Sequence, residues 1–201
     1  MAPGDKSGQW LTSYNPEEIR RWKESAPFRA VLKKYISPRY DTLVIKPNSG
    51  LIEQVAFCVP RGQCQKTMTD TNMEIGSSLG TPNQAVFSYL RIHFEKYHSL
   101  EDAVTWKELT SIELITGYNV VSLRTTLGAM DPLIPMGGYK IDRMIKKGVI
   151  RFWPWYEAKL PDILVDSTDM FQVRVFYSKP FSPRNEMRIK VSLGPLFFGV
   201  R

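Results

Sequence analysis

Histidine and cysteine are nearly missing from this chain: two of each in 201 residues. That scarcity removes most reaction chemistry at the outset. His93 and His98 have no cysteine or further histidine at a metal-ligand spacing. Five residues apart on a helix, they would diverge by about 140°, at about 100° per residue. Cys58 and Cys64 bracket Val-Pro-Arg-Gly-Gln, which carries no nucleophile signature, and two cysteines could close only one small loop. Idle, reduced thiols are expected. No glycine pattern fits a phosphate cradle, and no Lys-Ser/Thr follows a glycine loop. Glu17-Glu18 and Glu101-Asp102 stand at expected helix starts, where the helix dipole already explains them. No catalytic residue, cofactor or metal is assigned, and the chain is read as non-enzymatic.

Membrane and secretion signals are equally scarce. No run reaches the roughly 18 apolar residues of a spanning helix. The first residues lack a signal-peptide core and a glycine at position 2, and no Asn-x-Ser/Thr occurs. A cytosolic protein, or one delivered to a membrane from its cytosolic side, is expected.

What is abundant is apolar and basic. Hydrophobic residues make up 43% and aromatics 12%, enough for a sizeable core in one domain. A net charge of +7 and a pI near 9.4 favour anionic partners, nucleic acid or acidic lipid. The charge is sorted along the chain: net +5 over 1–66, −4 over 67–138 and +6 over 139–201.

Local signals divide the chain further. Residues 1–16 read as a flexible arm whose sticky point is Trp10 and Leu11. Residues 16–36 read as a helix with Arg20, Arg21, Lys23, Arg29, Lys33 and Lys34 on its basic face. Strands at 42–46 and 52–59 flank Pro47-Asn48-Ser49-Gly50 and are expected to form a hairpin. Residues 60–80 read as loop. Thr81-Pro82-Asn83-Gln84 has the form of a capped helix start, followed by Val86, Leu90, Phe94 and Tyr97 at helical spacing. Ser99 and Asp102 open a second helix through Leu100, Ala103, Trp106, Leu109, Ile112 and Ile115, stopping at Gly117.

The apolar residues Leu127, Met130, Leu133, Ile134 and Met136 then fall between prolines and glycines, which marks a loop suited either to a partner or to irregular core. Strands follow at 139–145, 149–153, 171–177 and 187–193. The last two are expected to pair antiparallel, with Arg174, Arg188 and Lys190 outward. The expected fold is α+β: one domain over 17–201, an antiparallel sheet covered by two or three helices, with the flexible arm over 1–16.

The most promising contact element is 146–156, where Lys146, Lys147 and Arg151 stand beside Trp153 and Trp155. Such a segment can settle at a lipid headgroup boundary, stack nucleobases while its cations track phosphate, or fill a core beside solvated lysines. Contact with an acidic membrane or nucleic acid is assigned to Lys146, Lys147, Arg151, Trp153, Trp155, Arg20, Arg21, Lys33 and Lys34.

The order of pieces resembles the matrix proteins of rhabdoviruses. It is carried by Gly80-Thr81-Pro82-Asn83 before Phe87-Ser88-Tyr89-Leu90-Arg91-Ile92, a helix ending at Gly117, the apolar loop, Tyr139-Lys140-Ile141-Asp142-Arg143 and Phe171-Gln172-Val173-Arg174-Val175. The resemblance spans roughly 70–195. It implies a structural protein of the virion, lying under the envelope and at the cytosolic face of host membranes, with the nucleus as a further compartment. Its implied partners are itself, the viral nucleoprotein–RNA complex, acidic lipid and RNA directly. Self-association would join Leu127, Met130, Leu133, Ile134 and Met136 to a neighbour's Trp10 and Leu11. The family's Pro-Pro-x-Tyr and Pro-Thr/Ser-Ala-Pro budding signals are absent, and Tyr40-Asp41-Thr42-Leu43 is only a weak substitute. The alternative reading is a viral nucleic-acid-binding protein, such as a movement protein or silencing suppressor.

Overall fold

A computed structural model of the chain describes residues 38–80, 83–117, 119–132 and 154–199. The expected arm and first helix, the strands at 139–145 and 149–153, and the loop residues 133–136 lie outside these.

β-Branched and aromatic residues recur through the described segments, most of which form strands. In chain order these are β1 (Arg39–Ile45), β2 (Leu51–Ala56), β3 (Asn83–Lys96), helix α1 (Leu100–Leu109), β4 (Thr110–Thr116), β5 (Val120–Thr126), β6 (Asp131–Pro132), β7 (Trp155–Val165), β8 (Phe171–Phe181) and β9 (Met187–Gly199). A five-stranded antiparallel sheet runs β1-β9-β3-β7-β6, and a four-stranded one runs β2-β8-β4-β5. Residues of both sheets share one apolar core, in which Phe87 of β3 meets Phe171 of β8 edge-on at 5.2 Å. The expected α+β fold with a single helix-covered sheet is therefore corrected: the architecture is a β-sandwich, and α1 is the one α-helix among the described residues.

The first helix expected from Thr81-Pro82-Asn83-Gln84 is instead β3, the longest strand. A register shift between Phe87 and Tyr89 explains the misreading. Before the shift, odd positions Ala85 and Phe87 join the core; after it, even positions Leu90, Ile92 and Phe94 do. The phase change breaks the strand's two-residue alternation and leaves Val86, Leu90 and Phe94 spaced by four, as on a helix. Ser88, at the bulge, donates its hydroxyl to Asp162 of β7 and fixes the irregularity.

The second helix begins as expected. The Ser99 hydroxyl caps α1 by accepting from the Asp102 N–H at 3.3 Å. The helix ends at Leu109, because Thr110-Ser111-Ile112-Glu113-Leu114-Ile115-Thr116 is β-branched and alternating and runs on as β4. Trp106 is fully buried, and its indole N–H donates to the Tyr177 hydroxyl at 3.1 Å, which donates to Gln54 at 2.7 Å. Burial pushes the Tyr177 phenol up from its ordinary range.

Two expected pairings also change. β1 and β2 do not form a hairpin; β1 pairs with β9 and β2 with β8, so the turn at 47–50 carries the chain from one sheet to the other. β8 and β9 likewise belong to opposite sheets. Their inward faces are those expected: Phe171, Val173, Val175 and Tyr177 on one, Met187, Ile189, Val191 and Leu193 on the other, all buried. Each face meets the other across the core instead of lying beside it.

Between β2 and β3 the chain is tied down by Asp41, which is fully buried. Its carboxylate accepts the Phe57 N–H at 2.7 Å and the Thr42 N–H at 3.1 Å, and pairs with the Lys66 ammonium at 2.5 Å. Phe57 holds φ at 72°, in the left-handed region, with its ring buried. Burial raises the Asp41 pKa, opposed by the Lys66 ammonium.

Candidate anion-binding surface

The described residues are together nearly neutral. They hold 14 of the 27 lysines and arginines but 15 of the 20 acids. The other 13 cations and 5 acids lie in residues 1–37, residues 133–153 and Arg201, a net +8. Three acids of the middle third are matched inside the molecule by cations of the last third: Arg188 pairs with Asp70, Lys190 with Glu95, and Arg184 with Glu101 at 3.0 Å. The chain's excess positive charge is thus concentrated in two stretches, 1–37 and 133–153.

The second stretch joins the fold at one place. Pro132 of β6 pairs with Tyr156 of β7, and the Phe94 N–H of β3 donates to the Pro154 carbonyl at 2.9 Å. Pro132 and Pro154, which flank residues 133–153, therefore lie at adjoining points on the edge of the five-stranded sheet. Residues 133–153 carry Lys140, Arg143, Lys146, Lys147 and Arg151 against a single acid, Asp142.

At that edge Trp155 lies flat on His93, ring centroids 3.5 Å apart and planes 13° from parallel, and remains 41% exposed. Strand register explains the stack, because His93 and Trp155 are opposite one another on the outer face. Burial lowers the His93 pKa, opposed by the nearby Glu95 carboxylate and assisted by Lys190. Four residues back along β3, Tyr89 lies across Gly194 of β9, where an added Cβ would fall 2.4 Å from its hydroxyl. The Arg91 guanidinium covers the Tyr89 ring at 3.9 Å and pairs with Glu157 at 2.5 Å. Lys159 stands opposite Tyr89, Lys190 opposite His93, and the Lys190 ammonium sits 4.9 Å from the centre of the Tyr40 ring.

Of the residues assigned to anionic contact from sequence, Trp155 is placed on this face. Lys146, Lys147, Arg151, Trp153, Arg20, Arg21, Lys33 and Lys34 lie outside the described residues. Of those assigned to self-association, Leu127 is fully buried and Met130 is 5% exposed, both in the core where the chain leaves β5. Their side chains fill the sandwich and are not offered to a neighbour. Trp10, Leu11, Leu133, Ile134 and Met136 lie outside the described residues. Tyr89, Arg91 and His93 were not assigned to a contact surface from sequence, since a helical reading of 83–97 sends them to different sides, and Lys159 fell in no expected element. Alternation from Tyr89 to His93 is the signal that would have gathered them.

Among the described residues no group of three or more His, Cys, Asp or Glu side chains is arranged to hold a metal ion, and no helix is long and apolar enough to cross a membrane. No family model, curated protein or solved structure matches the chain.

Proposed function

We propose that this chain is a non-enzymatic assembly protein of the matrix kind. In this reading the sandwich is a neutral body, and residues 1–37 and 133–153 bring it to an acidic membrane surface. Self-association and contact with a viral nucleoprotein–RNA complex then build the layer beneath an envelope and support budding. The observation that carries the reading is a clustering of charge along the sequence: residues 133–153 hold five cations against one acid, and the residues that flank them, Pro132 and Pro154, lie at adjoining points on one sheet edge. A polybasic segment near anionic lipid gains about 1 kcal/mol per lysine or arginine, so two opposed lysines are worth at least about 2 kcal/mol.

Flotation with vesicles rich in phosphatidylserine tests this. Lys146→Glu with Lys147→Glu is expected to weaken binding about thirtyfold or more, while neutral vesicles bind neither form. Equal flotation of the variant and the unaltered chain would overturn the reading.

A further inference from the structure

The outer face of the five-stranded sheet carries two layered stacks on β3, four residues apart and so separated by about 13 Å at about 3.3 Å per residue. In one, Trp155 rests on His93; in the other, the Arg91 guanidinium rests on Tyr89. Each leaves a residue with a flat, delocalised group partly open to solvent: Trp155 is 41% exposed, and the Arg91 side chain is 39% exposed. An apolar core gains nothing from planar groups on the solvent side of a sheet. Nucleobases stack on such planes, aromatic or guanidinium, without needing a particular sequence.

The polar surroundings are consistent with that ligand. Lys159 and Lys190 flank the stacks in register, at positions where cations could follow phosphate. Acids temper the face, since Glu157 holds Arg91 and Glu95 pairs with Lys190. Stacking, more than charge, must then supply the affinity here. Low net charge weakens attraction to either polyanion, and the exposed planar groups favour single-stranded RNA over a lipid surface because bases can stack on them.

We infer that the outer face of the five-stranded sheet binds single-stranded RNA, with one base stacked on Trp155 and a second on Arg91. The inference deepens the matrix reading by giving the RNA partner a site, and it rests on side chains of the sandwich and not on the basic stretches. The two can therefore fail separately.

The test is fluorescence anisotropy with labelled oligouridine, alongside vesicle flotation. Trp155→Ala is expected to weaken oligouridine binding about tenfold and Arg91→Ala by a similar factor, stacking being worth about 1–3 kcal/mol per base. Trp155→Phe, which keeps a ring on His93, is expected to retain most of the affinity and to lose much of the RNA-induced quenching of tryptophan fluorescence. Thermal melting of each variant separates loss of binding from loss of fold. Oligouridine affinity unchanged in folded Trp155→Ala and Arg91→Ala overturns the inference. So does an outcome in which Trp155→Ala loses vesicle flotation and keeps RNA binding, which would assign the indole to a lipid boundary.

Discussion

Replacing Asp41 with alanine should be among the most destabilising single changes in the sandwich. The carboxylate is fully buried and accepts the Phe57 and Thr42 N–H groups while pairing with Lys66. Alanine would leave both buried N–H groups without their acceptor, at about 1–3 kcal/mol each. Lys66 is 18% exposed at its side chain and could turn partly to water, so its own loss would be smaller. A cost near 4 kcal/mol follows, in line with about 3–5 kcal/mol for breaking a buried pair. Against a typical total of about 5–15 kcal/mol, that would lower the urea midpoint markedly.

Lys66→Met isolates the other side of the pair. It leaves a buried carboxylate whose pKa burial already raises, so the folded form would hold its proton to higher pH than the unfolded chain. Stability of that variant should fall as pH rises from about 4, where an unfolded aspartate titrates, through the raised folded value. The double variant should be less destabilised than the sum of the two singles, by about 0.5–3 kcal/mol. Urea denaturation of the four forms measures all of this. A cost below about 1 kcal/mol for Asp41→Ala, or strict additivity, would refute the reasoning.

Other consequences can be checked one at a time. Gly194→Ala should cost about 1–3 kcal/mol by thermal melting, because its Cβ meets the Tyr89 ring. Adding Tyr89→Ala should remove that penalty, and failure to do so would place the strain elsewhere. His93 has a folded pKa lowered by burial, so the unfolded chain binds more protons as pH drops below about 6.5. Stability should therefore decline on acidification through that value, and His93→Gln should flatten the decline. An identical pH profile for the two would argue against a half-buried imidazole whose pKa is lowered on folding.

How much of this was legible in the residues depended on whether a pattern was local. The Ser99 cap needs only its own turn, and it was read correctly. The inward faces of β8 and β9 follow from alternation alone, and they too stood out; which strand each would pair with did not. Pairing depends on which sheet a strand joins, and no residue within 171–177 or 187–193 specifies that. The turn at 47–50 has the composition of a hairpin, yet its strands separate because β9 and β8 offer them longer partners. β3 was the costliest misreading. Its bulge at Ser88 shifts the core phase, and the Thr-Pro-Asn-Gln start has the form of a helix cap, so two local signals agreed on the wrong element. The stacks on the outer face were hidden for the same reason, since they exist only once Tyr89, Arg91 and His93 share one side of a strand.

The decisive measurement for the central claim compares two matched sets of lysines in acidic-vesicle flotation. One variant neutralises Lys140, Lys146 and Lys147 in the basic stretch; the other neutralises Lys46, Lys159 and Lys179 on the sandwich. Both lose the same charge overall. If binding belongs to the segregated basic stretch, the first set should weaken it about a hundredfold, at about 1 kcal/mol per lysine, and the second should leave it close to the unaltered chain. Equal losses in the two variants would show that only total charge matters and would contradict the account.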